Sequence, residues 1–123
     1  MARHKYGAKA VVIDGRRFAS TAEGNRYLEL KILQRARRIA GLECQVRFDL
    51  HAAGGKKVAT FVADFVYTRD GERVVEDVKG YLTDMYRLKR RWMLAEYGIA
   101  IEEIGGQKKA RKATAKRARG AAR

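Results

Sequence analysis

The segment KVATFVADFVYTRDGERVVEDVKG, residues 57–80, decides the fold of this chain. Its first half is dense in Val, Thr, Phe and Tyr and its second half in Val, residue types that fit a pleated, half-buried surface. Asp70-Gly71 separates the two halves, and this dipeptide between apolar runs is a strong short-range signal of a β-hairpin. We therefore expect two antiparallel strands, over 57–67 and 72–80.

A third strand is expected before this hairpin. CQVRFDLHA, residues 44–52, alternates between apolar and polar side chains, and Gly54-Gly55 provides the turn that follows it. The alternation places three side chains on the buried side, Val46, Phe48 and Leu50. The three strands together predict an antiparallel meander.

A helix is expected ahead of the meander. Ser20 and Glu23 form the SxxE capping-box pattern, and the helix they open is expected to run to about Ile39. Gly24 in its first turn costs roughly 1 kcal/mol against alanine, which indicates a close approach to the backbone there. The expected buried face is Leu28, Ile32, Ala36 and Ile39, widened by Tyr27, Leu30 and Leu33.

A second helix is expected after the meander, from an N-cap at Thr83 to a stop at Gly98. Its expected apolar stripe is Met85, Leu88, Trp92 and Ala95. A last strand, IAIEEI, covers 99–104, and Asp14-Gly15 predicts a short N-terminal hairpin. The expected fold class is α/β, in the order hairpin, helix, three-stranded meander, helix, strand.

The charge of the chain points to a polyanionic partner. The 123 residues suit one domain and carry a net charge of +14. Eight Lys and Arg residues and no acid lie in 107–123, which leaves +6 for residues 1–106. We expect a domain over 1–106 and a disordered basic tail over 107–123, because the tail has no aliphatic side chain larger than alanine. Such a basic tail favours a nucleic acid as the partner through counterion release.

Several classes of protein do not fit the sequence. No apolar window is long enough for a membrane span, and MARHKYGAKA has no secretory-signal pattern. Cys44 is the only cysteine, as expected of a reducing compartment, and we expect a cytoplasmic protein with no membrane partner. No P-loop, GxSxG or dinucleotide fingerprint occurs, so we expect no nucleotide cofactor.

Two carboxylates and a lysine interrupt the apolar strands of the hairpin. Asp64 lies in the middle of FVADFVY, where a carboxylate is costly unless it is paired or binds a cation. Pairing across Asp70-Gly71 brings Asp64 near Asp77, and Lys79 shares a strand face with Asp77. Converging carboxylates favour a hard divalent cation such as Mg²⁺ between them.

These residues resemble the pattern of the PD-(D/E)XK nuclease superfamily: Asp64, twelve intervening residues, then Asp77-Val78-Lys79. The resemblance extends over roughly residues 5–104, through KYGAKAVVIDGRRFASTAEGNRYLELKIL, LECQVRFDL, ADFVY and VVEDVKGYLTDMYRLKRRWMLAEYGI. More narrowly, the chain resembles small phage-encoded members related to phage-type Holliday junction resolvases and transposon end-cleaving nucleases. The superfamily's proline before the first Asp is absent, since the chain reads Ala63-Asp64 and contains no proline.

The resemblance implies a fold and an activity. The fold would be a PD-(D/E)XK nuclease-like core, and the activity metal-dependent hydrolysis of DNA phosphodiester bonds, with branched or Holliday-junction DNA of phage recombination or replication as the implied substrate. A homodimer would let two sites cut two strands. Mg²⁺, replaceable by Mn²⁺, would be held by Asp64, Asp77, Glu23 and the carbonyl of Val78. Lys79 would position or activate the attacking water, and Gln45 is a candidate supporting residue.

Basic residues around the second helix are candidate DNA contacts. A helix that starts just after Lys79 directs its first turn toward the scissile phosphate, which suits phosphate positioning more than base readout. The candidates on this helix are Thr83, Tyr86, Arg87 and Lys89. Those in the tail are Lys108, Lys109, Arg111 and Lys112.

Structural interpretations stay open beside the functional ones. Glu23 also fits the last position of the capping box, and Asp77 with Lys79 also fits an ion pair on a solvated face. Glu76 is expected to be a surface charge or the partner of a basic side chain. For the whole protein, the alternatives are a non-catalytic nucleic-acid-binding protein and a nuclease subunit of a larger transposition or packaging complex.

Overall fold

The computed structural model describes residues 9–79 and 81–105 and has an α/β architecture with two sheets and two helices. The elements in chain order are β1 (Val11–Ile13), β2 (Arg16–Phe18), α1 (Thr21–Arg35), β3 (Ala40–His51), β4 (Lys57–Arg69), β5 (Glu72–Val78), α2 (Asp84–Tyr97) and β6 (Glu102–Ile104). The tail candidates Lys108, Lys109, Arg111 and Lys112 lie outside the described residues. In the described part of the chain, neither helix is long and apolar enough to cross a membrane.

The larger sheet has the order β3-β4-β5-β6, and its first three strands form the predicted antiparallel meander. The turn at Asp70-Gly71 has positive φ at both residues, 54° and 79°, which is the left-handed geometry that a tight two-residue hairpin needs. Asp14-Gly15 does the same between β1 and β2, with φ of 53° and 75°. β6 is short and joins β5 in parallel after the crossover through α2. The dipeptide signals therefore located both hairpins correctly.

Two clusters of buried side chains lie on the two faces of this sheet. One cluster packs against α2 and includes Phe48, Leu50, Phe61, Ala63, Val66, Val75, Tyr86 and Met93. The other packs against α1 and the N-terminal hairpin and includes Phe18, Tyr27, Leu30, Ile39, Phe65, Tyr67 and Val74. Each helix thus covers one face of a three-layer arrangement.

The pleat of β3 and β4 changes sides in the middle of both strands. Ala63 belongs to the α2 cluster and Phe65 to the α1 cluster, although residues two apart on a regular strand share a face. On β3, Val46 and Cys44 diverge in the same way. The two reversals face each other across the ladder, between the pairs Val46↔Ala63 and Cys44↔Phe65.

The buried faces of both helices differ from the predicted ones. In α1, Leu28 and Ile32 are exposed, and the buried residues are Gly24, Tyr27 and Leu30. The sequence offers two overlapping apolar stripes, and the N-terminal hairpin selects the one that carries the aromatic ring. α1 also ends earlier than predicted, at Arg35, because β3 begins at Ala40 rather than at residue 44.

α2 has the predicted termini but a different inner face. Thr83 caps it by accepting a hydrogen bond from the Tyr86 N–H at 3.0 Å, and Gly98 ends it with a φ of 68°. The predicted stripe was right at Trp92, which packs on the core, and wrong at Met85 and Leu88, which are 59% and 44% exposed; the helix buries Tyr86 and Met93. The hydroxyl of Tyr86 has a half-buried partner, Glu103, on β6.

Gly24 marks the predicted close approach. A Cβ at this position would lie 2.6 Å from Val11 Cγ2 and 3.0 Å from Ile13 Cδ1, so β1 packs directly on the α1 backbone. The glycine therefore trades helix propensity for contact with the N-terminal hairpin.

Side chains from the end of α2 occupy backbone groups of β3, which forms one edge of the sheet. The Tyr97 hydroxyl donates to the Asp49 carbonyl at 2.6 Å, and Trp92 Nε1 donates to the His51 carbonyl at 3.1 Å. The His51 N–H donates to Glu96 Oε1 at 2.8 Å. The outer edge of β3 is thereby closed near its tip.

Candidate active site

Asp64 and Asp77 meet where the pairing of β4 and β5 stops. Phe65↔Glu76 is the last backbone pair on that side of the ladder. Beyond it, the Asp64 N–H donates to Asp77 Oδ1 at 3.2 Å, and the Val78 N–H donates to Asp64 Oδ2 at 2.8 Å. The two side chains thus replace the next rungs of the ladder by a crossed pair of hydrogen bonds, and their carboxylates lie side by side as the sequence predicted.

Lys79 completes this group from the end of β5. Its Nζ lies 2.8 Å from Asp77 Oδ2 and 4.2 Å from the centre of the Tyr86 ring. Its backbone N–H donates to the Ile104 carbonyl at 2.7 Å. Asp77 is only 2% exposed, so this is not the ion pair of a solvated face that the sequence also allowed.

β6 approaches the Lys79 backbone closely through a glycine. Gly105 has a φ of 96°, and a Cβ at this position would lie 2.8 Å from the Lys79 carbonyl oxygen. The end of β6 therefore fits against Lys79 only because residue 105 has no side chain.

Glu23 faces the same group from the first turn of α1. Burial raises the pKa of its carboxyl group, and the charge of Asp77 raises that pKa further, while Lys79 acts in the opposite direction. The Glu23 N–H also donates to Ser20 Oγ at 3.1 Å, so the capping interpretation holds for the backbone. The structure thus gives Glu23 both a helix-capping position and a carboxylate near Asp77.

Burial and like charge dominate the electrostatics of the site. Burial raises the pKa of Asp64 most strongly, and the neighbouring charge of Asp77 raises it further, while the hydrogen bond from the Val78 backbone lowers it. Two carboxyl groups of this kind resist simultaneous ionisation unless positive charge is added. Within residues 9–79 and 81–105, however, no group of three or more His, Cys, Asp or Glu side chains is arranged to hold a metal ion.

Gln45 lies across the ladder from Asp64, at the point where the pleat changes sides. Gln45 belongs to the strand expected over 44–52, and it lies inside β3, exposed, with a φ of 54°. A left-handed residue inside a strand is uncommon for glutamine and accounts for the reversal of β3. Its role as a supporting residue stays a prediction.

Glu76 is a carboxylate whose surroundings the sequence described only in part. It is the partner of a basic side chain, as one interpretation held, but it is fully buried and not a surface charge. Arg26 and Tyr67 bind it on the α1 side of the sheet. Sequence reasoning missed Arg26, although its position three residues after Glu23 and four before Leu30, on one face of the helix, is a usable signal.

The predicted DNA contacts on α2 fall into two groups. Thr83 and Arg87 are exposed, and Lys89 is partly exposed. Tyr86 is buried, and its hydroxyl donates to Glu103 Oε2 at 2.8 Å, which argues against a direct phosphate contact. Tyr86 instead lies beneath Lys79 and supports it.

The chain belongs to a family described as a protein of unknown function, DUF1064, whose model matches residues 3–110. No curated protein and no solved structure matches the chain significantly. The family match spans the whole described part of the chain, including the carboxylates, Lys79 and both helices.

Proposed function

We propose that this protein is a metal-dependent endonuclease of the PD-(D/E)XK type that hydrolyses DNA phosphodiester bonds. The crossed hydrogen bonds between Asp64, Asp77 and Val78 carry the proposal, because they bring the buried carboxylate of Asp77 and the half-buried carboxylate of Asp64 together at the end of a ladder. Lys79 lies beside them, on the carboxylate of Asp77. For Asp64, Asp77 and Lys79, this arrangement agrees with what the resemblance to the PD-(D/E)XK superfamily implies.

The donor set supports Mg²⁺ as the cofactor. Mg²⁺ prefers oxygen ligands and is bound in proteins through one or two carboxylates together with substrate phosphates and waters. Asp64 and Asp77 provide the two carboxylates, and Glu23 and the carbonyl of Val78 are the further oxygens that we assign to it.

The residues of the chain divide the work of hydrolysis. Bound Mg²⁺ would supply Lewis-acid stabilisation of the charge that develops on the phosphate. Asp64 and Asp77 orient that centre, since the N–H groups of Val78 and Asp64 fix their carboxylates. Lys79 orients the attacking water for in-line attack and presents its positive charge to the phosphate, held in place by Asp77 and Tyr86.

DNA is the proposed substrate because of charge and its distribution. The chain carries +14, and the exposed Thr83 and Arg87 with the partly exposed Lys89 surround the end of α2 that follows Lys79. These contacts and the basic tail suit phosphate binding without base readout. Branched DNA and a homodimer with two sites remain our proposals, drawn from the resemblance alone.

Cleavage of a labelled four-way junction beside a linear duplex of the same sequences tests the proposal. We expect cutting with Mg²⁺ or Mn²⁺, none with EDTA, and none with Asp64→Asn or Asp77→Ala. Asp49→Asn is the matched control, because Asp49 is an exposed carboxylate on the neighbouring strand. Cutting by Asp77→Ala at the wild-type rate would contradict the assignment, and the ratio of junction to duplex cleavage would identify the substrate.

A non-catalytic nucleic-acid-binding protein is the second candidate. One observation favours it: backbone N–H groups and Lys79 already bind the oxygens of Asp64 and Asp77. This candidate predicts DNA binding that ignores EDTA, with no cutting under any divalent metal. A subunit of a larger complex would instead become active only when its partner is added.

A further inference from the structure

A fully buried carboxylate on the other face of β5 takes no part in the proposed chemistry. Glu76 is 0% exposed and directly precedes Asp77. Its Oε1 accepts from Arg26 Nε at 2.9 Å and its Oε2 from Arg26 Nη2 at 2.6 Å, and the Tyr67 hydroxyl also donates to Oε2. Both oxygens of Glu76 are therefore bound by α1 and β4.

Arg26 lies on α1, one turn after Glu23. Its two-pronged bond to Glu76 joins the helix that carries Glu23 to the strand that carries Asp77. Such a planar fork fixes both the distance and the orientation of its partners. The hydrophobic burial around Tyr27 and Leu30 holds α1 on the sheet with little directional preference. A second hydrogen bond between α1 and this sheet, from the Leu42 N–H to Gln34 Oε1 at 2.8 Å, lies at the opposite end of the helix from Glu23.

We propose that Arg26 and Glu76 are positioning residues that set the orientation of α1 and so hold Glu23 within reach of Asp64 and Asp77. This inference rests on the proposed function, because the role of Glu23 as a ligand comes from it. The positions of the two residues support this inference, since Arg26 is one helical turn from Glu23 and Glu76 is adjacent to Asp77. Outer groups of this kind tune a metal site without touching the metal.

An apolar replacement of the network tests the orientation directly. In Arg26→Met/Tyr67→Phe/Glu76→Leu, side chains of similar size replace all three partners, a change that commonly leaves the fold intact. Residual dipolar couplings of the amides measure the orientation of α1 relative to β4 and β5. We expect α1 to rotate in the triple variant and to keep its orientation in Tyr67→Phe, which preserves the fork. An unchanged orientation in the triple variant would overturn the proposal.

Mn²⁺ binding by calorimetry tests whether the network acts through Glu23. The four proteins are wild type, Glu23→Gln, the triple variant and the combination of both changes. We expect the triple variant to bind Mn²⁺ about 10–100-fold more weakly, as is usual for outer-shell changes. The combination should then lose no more affinity than Glu23→Gln alone, because both changes remove one contribution. If the combined protein instead loses affinity by the product of the two separate factors, the network does not act through Glu23.

The dipolar couplings and the Mn²⁺ calorimetry distinguish a failure of this proposal from a failure of the proposed function. A wild-type protein that neither binds Mn²⁺ nor cuts DNA would contradict the function, and the dipolar couplings would still decide the orientation. If the triple variant does not fold, Arg26→Lys replaces it, because lysine keeps the charge and loses the fork. We expect α1 to rotate in the same direction by a smaller angle, and a wild-type orientation in Arg26→Lys would overturn the proposal.

Discussion

Glu76 and Asp77 are adjacent buried carboxylates on β5, and the fold treats them in opposite ways. Glu76 receives an arginine fork and a hydroxyl group on the α1 side of the sheet. Asp77 receives one backbone N–H and Lys79, and it shares its surroundings with Asp64 and Glu23. The charge of Arg26 balances that of Glu76. Around Asp77, by contrast, three carboxylates share one lysine, Lys79, among the described residues.

The difference teaches how a structural carboxylate can be told from a functional one. A buried charge whose donors are all provided by the protein contributes to the geometry of the fold. A buried carboxyl group crowded by others of the same sign is unfavourable by itself and becomes favourable when a cation arrives. Removing the partner of Glu76 should therefore lower the stability of the metal-free protein, whereas neutralising a carboxylate beside Asp77 should raise it.

Arg26→Ala should produce the largest effect on stability. The change leaves the fully buried Glu76 without its cation, and breaking a buried pair from one side costs about 3–5 kcal/mol. Urea unfolding of the metal-free protein measures the loss in the free energy of unfolding. Arg91→Ala is the control, because Arg91 is exposed on α2 and should change stability by less than about 0.5 kcal/mol. If Arg26→Ala loses less than about 1 kcal/mol in the free energy of unfolding, Glu76 is not the structural carboxylate that the comparison with Asp77 makes it.

Asp64→Asn should stabilise the metal-free protein, by about 1–3 kcal/mol at neutral pH. Burial and the charge of Asp77 raise the pKa of Asp64 from 3.8 to about 8. The native state therefore holds a proton that the unfolded state releases, so wild-type stability falls as the pH rises from about 4 to about 8. The advantage of Asp64→Asn should be absent below pH 4 and complete above pH 8. Thermal unfolding in EDTA across this range measures it, and a destabilised variant at neutral pH would contradict the repulsion.

Mg²⁺ should stabilise wild type and leave Asp64→Asn and Asp77→Ala unchanged. At ten times the dissociation constant, a ligand that binds only the native state adds about 1.4 kcal/mol. Melting temperatures at matched ionic strength, with and without Mg²⁺, measure the difference. An equal gain in all three proteins would indicate a salt effect and would remove the distinction between Asp77 and Glu76.

Gly105→Ala should lower stability by about 1 kcal/mol or more, because alanine is strained at a positive φ, and it should also slow cleavage. Its Cβ would meet the Lys79 carbonyl oxygen at 2.8 Å, so the strand end that carries the lysine must shift. Gly41→Ala is the matched control, since Gly41 has a similar positive φ of 66° with no atom near its Cβ. If both variants cleave DNA alike, the contact of β6 with Lys79 has no part in the site.

The sequence predicted the parts of the fold that depend on local signals. Asp70-Gly71 and Asp14-Gly15 locate the hairpins because tight turns require a left-handed backbone at fixed positions. Thr83 and Gly98 locate the ends of α2 for the same kind of reason. Asp64, Asp77 and Lys79 could be brought together because the register of a hairpin follows from its turn.

The parts that failed depend on tertiary contacts. The predicted faces of α1 and α2 were right at Tyr27, Leu30 and Trp92. They were wrong at Leu28 and Met85, because these residues lie on apolar stripes that no other element covers among the described residues. The positive φ of Gln45 was not predicted, because nothing in its neighbours indicates a left-handed glutamine inside a strand. The burial of Glu76 depends on Arg26, fifty positions earlier in the chain, and no local pattern shows that pairing.

The closed edge of β3 has a consequence for self-association through strands. An edge strand of twelve residues is a template on which another chain can add by backbone pairing. Near its tip, Tyr97, Trp92 and Glu96 of α2 already occupy the backbone groups of Asp49 and His51 that such a chain would use. Another chain can therefore pair with this end of β3 only after these side chains have left its backbone groups, so the docked end of α2 also opposes association through strands.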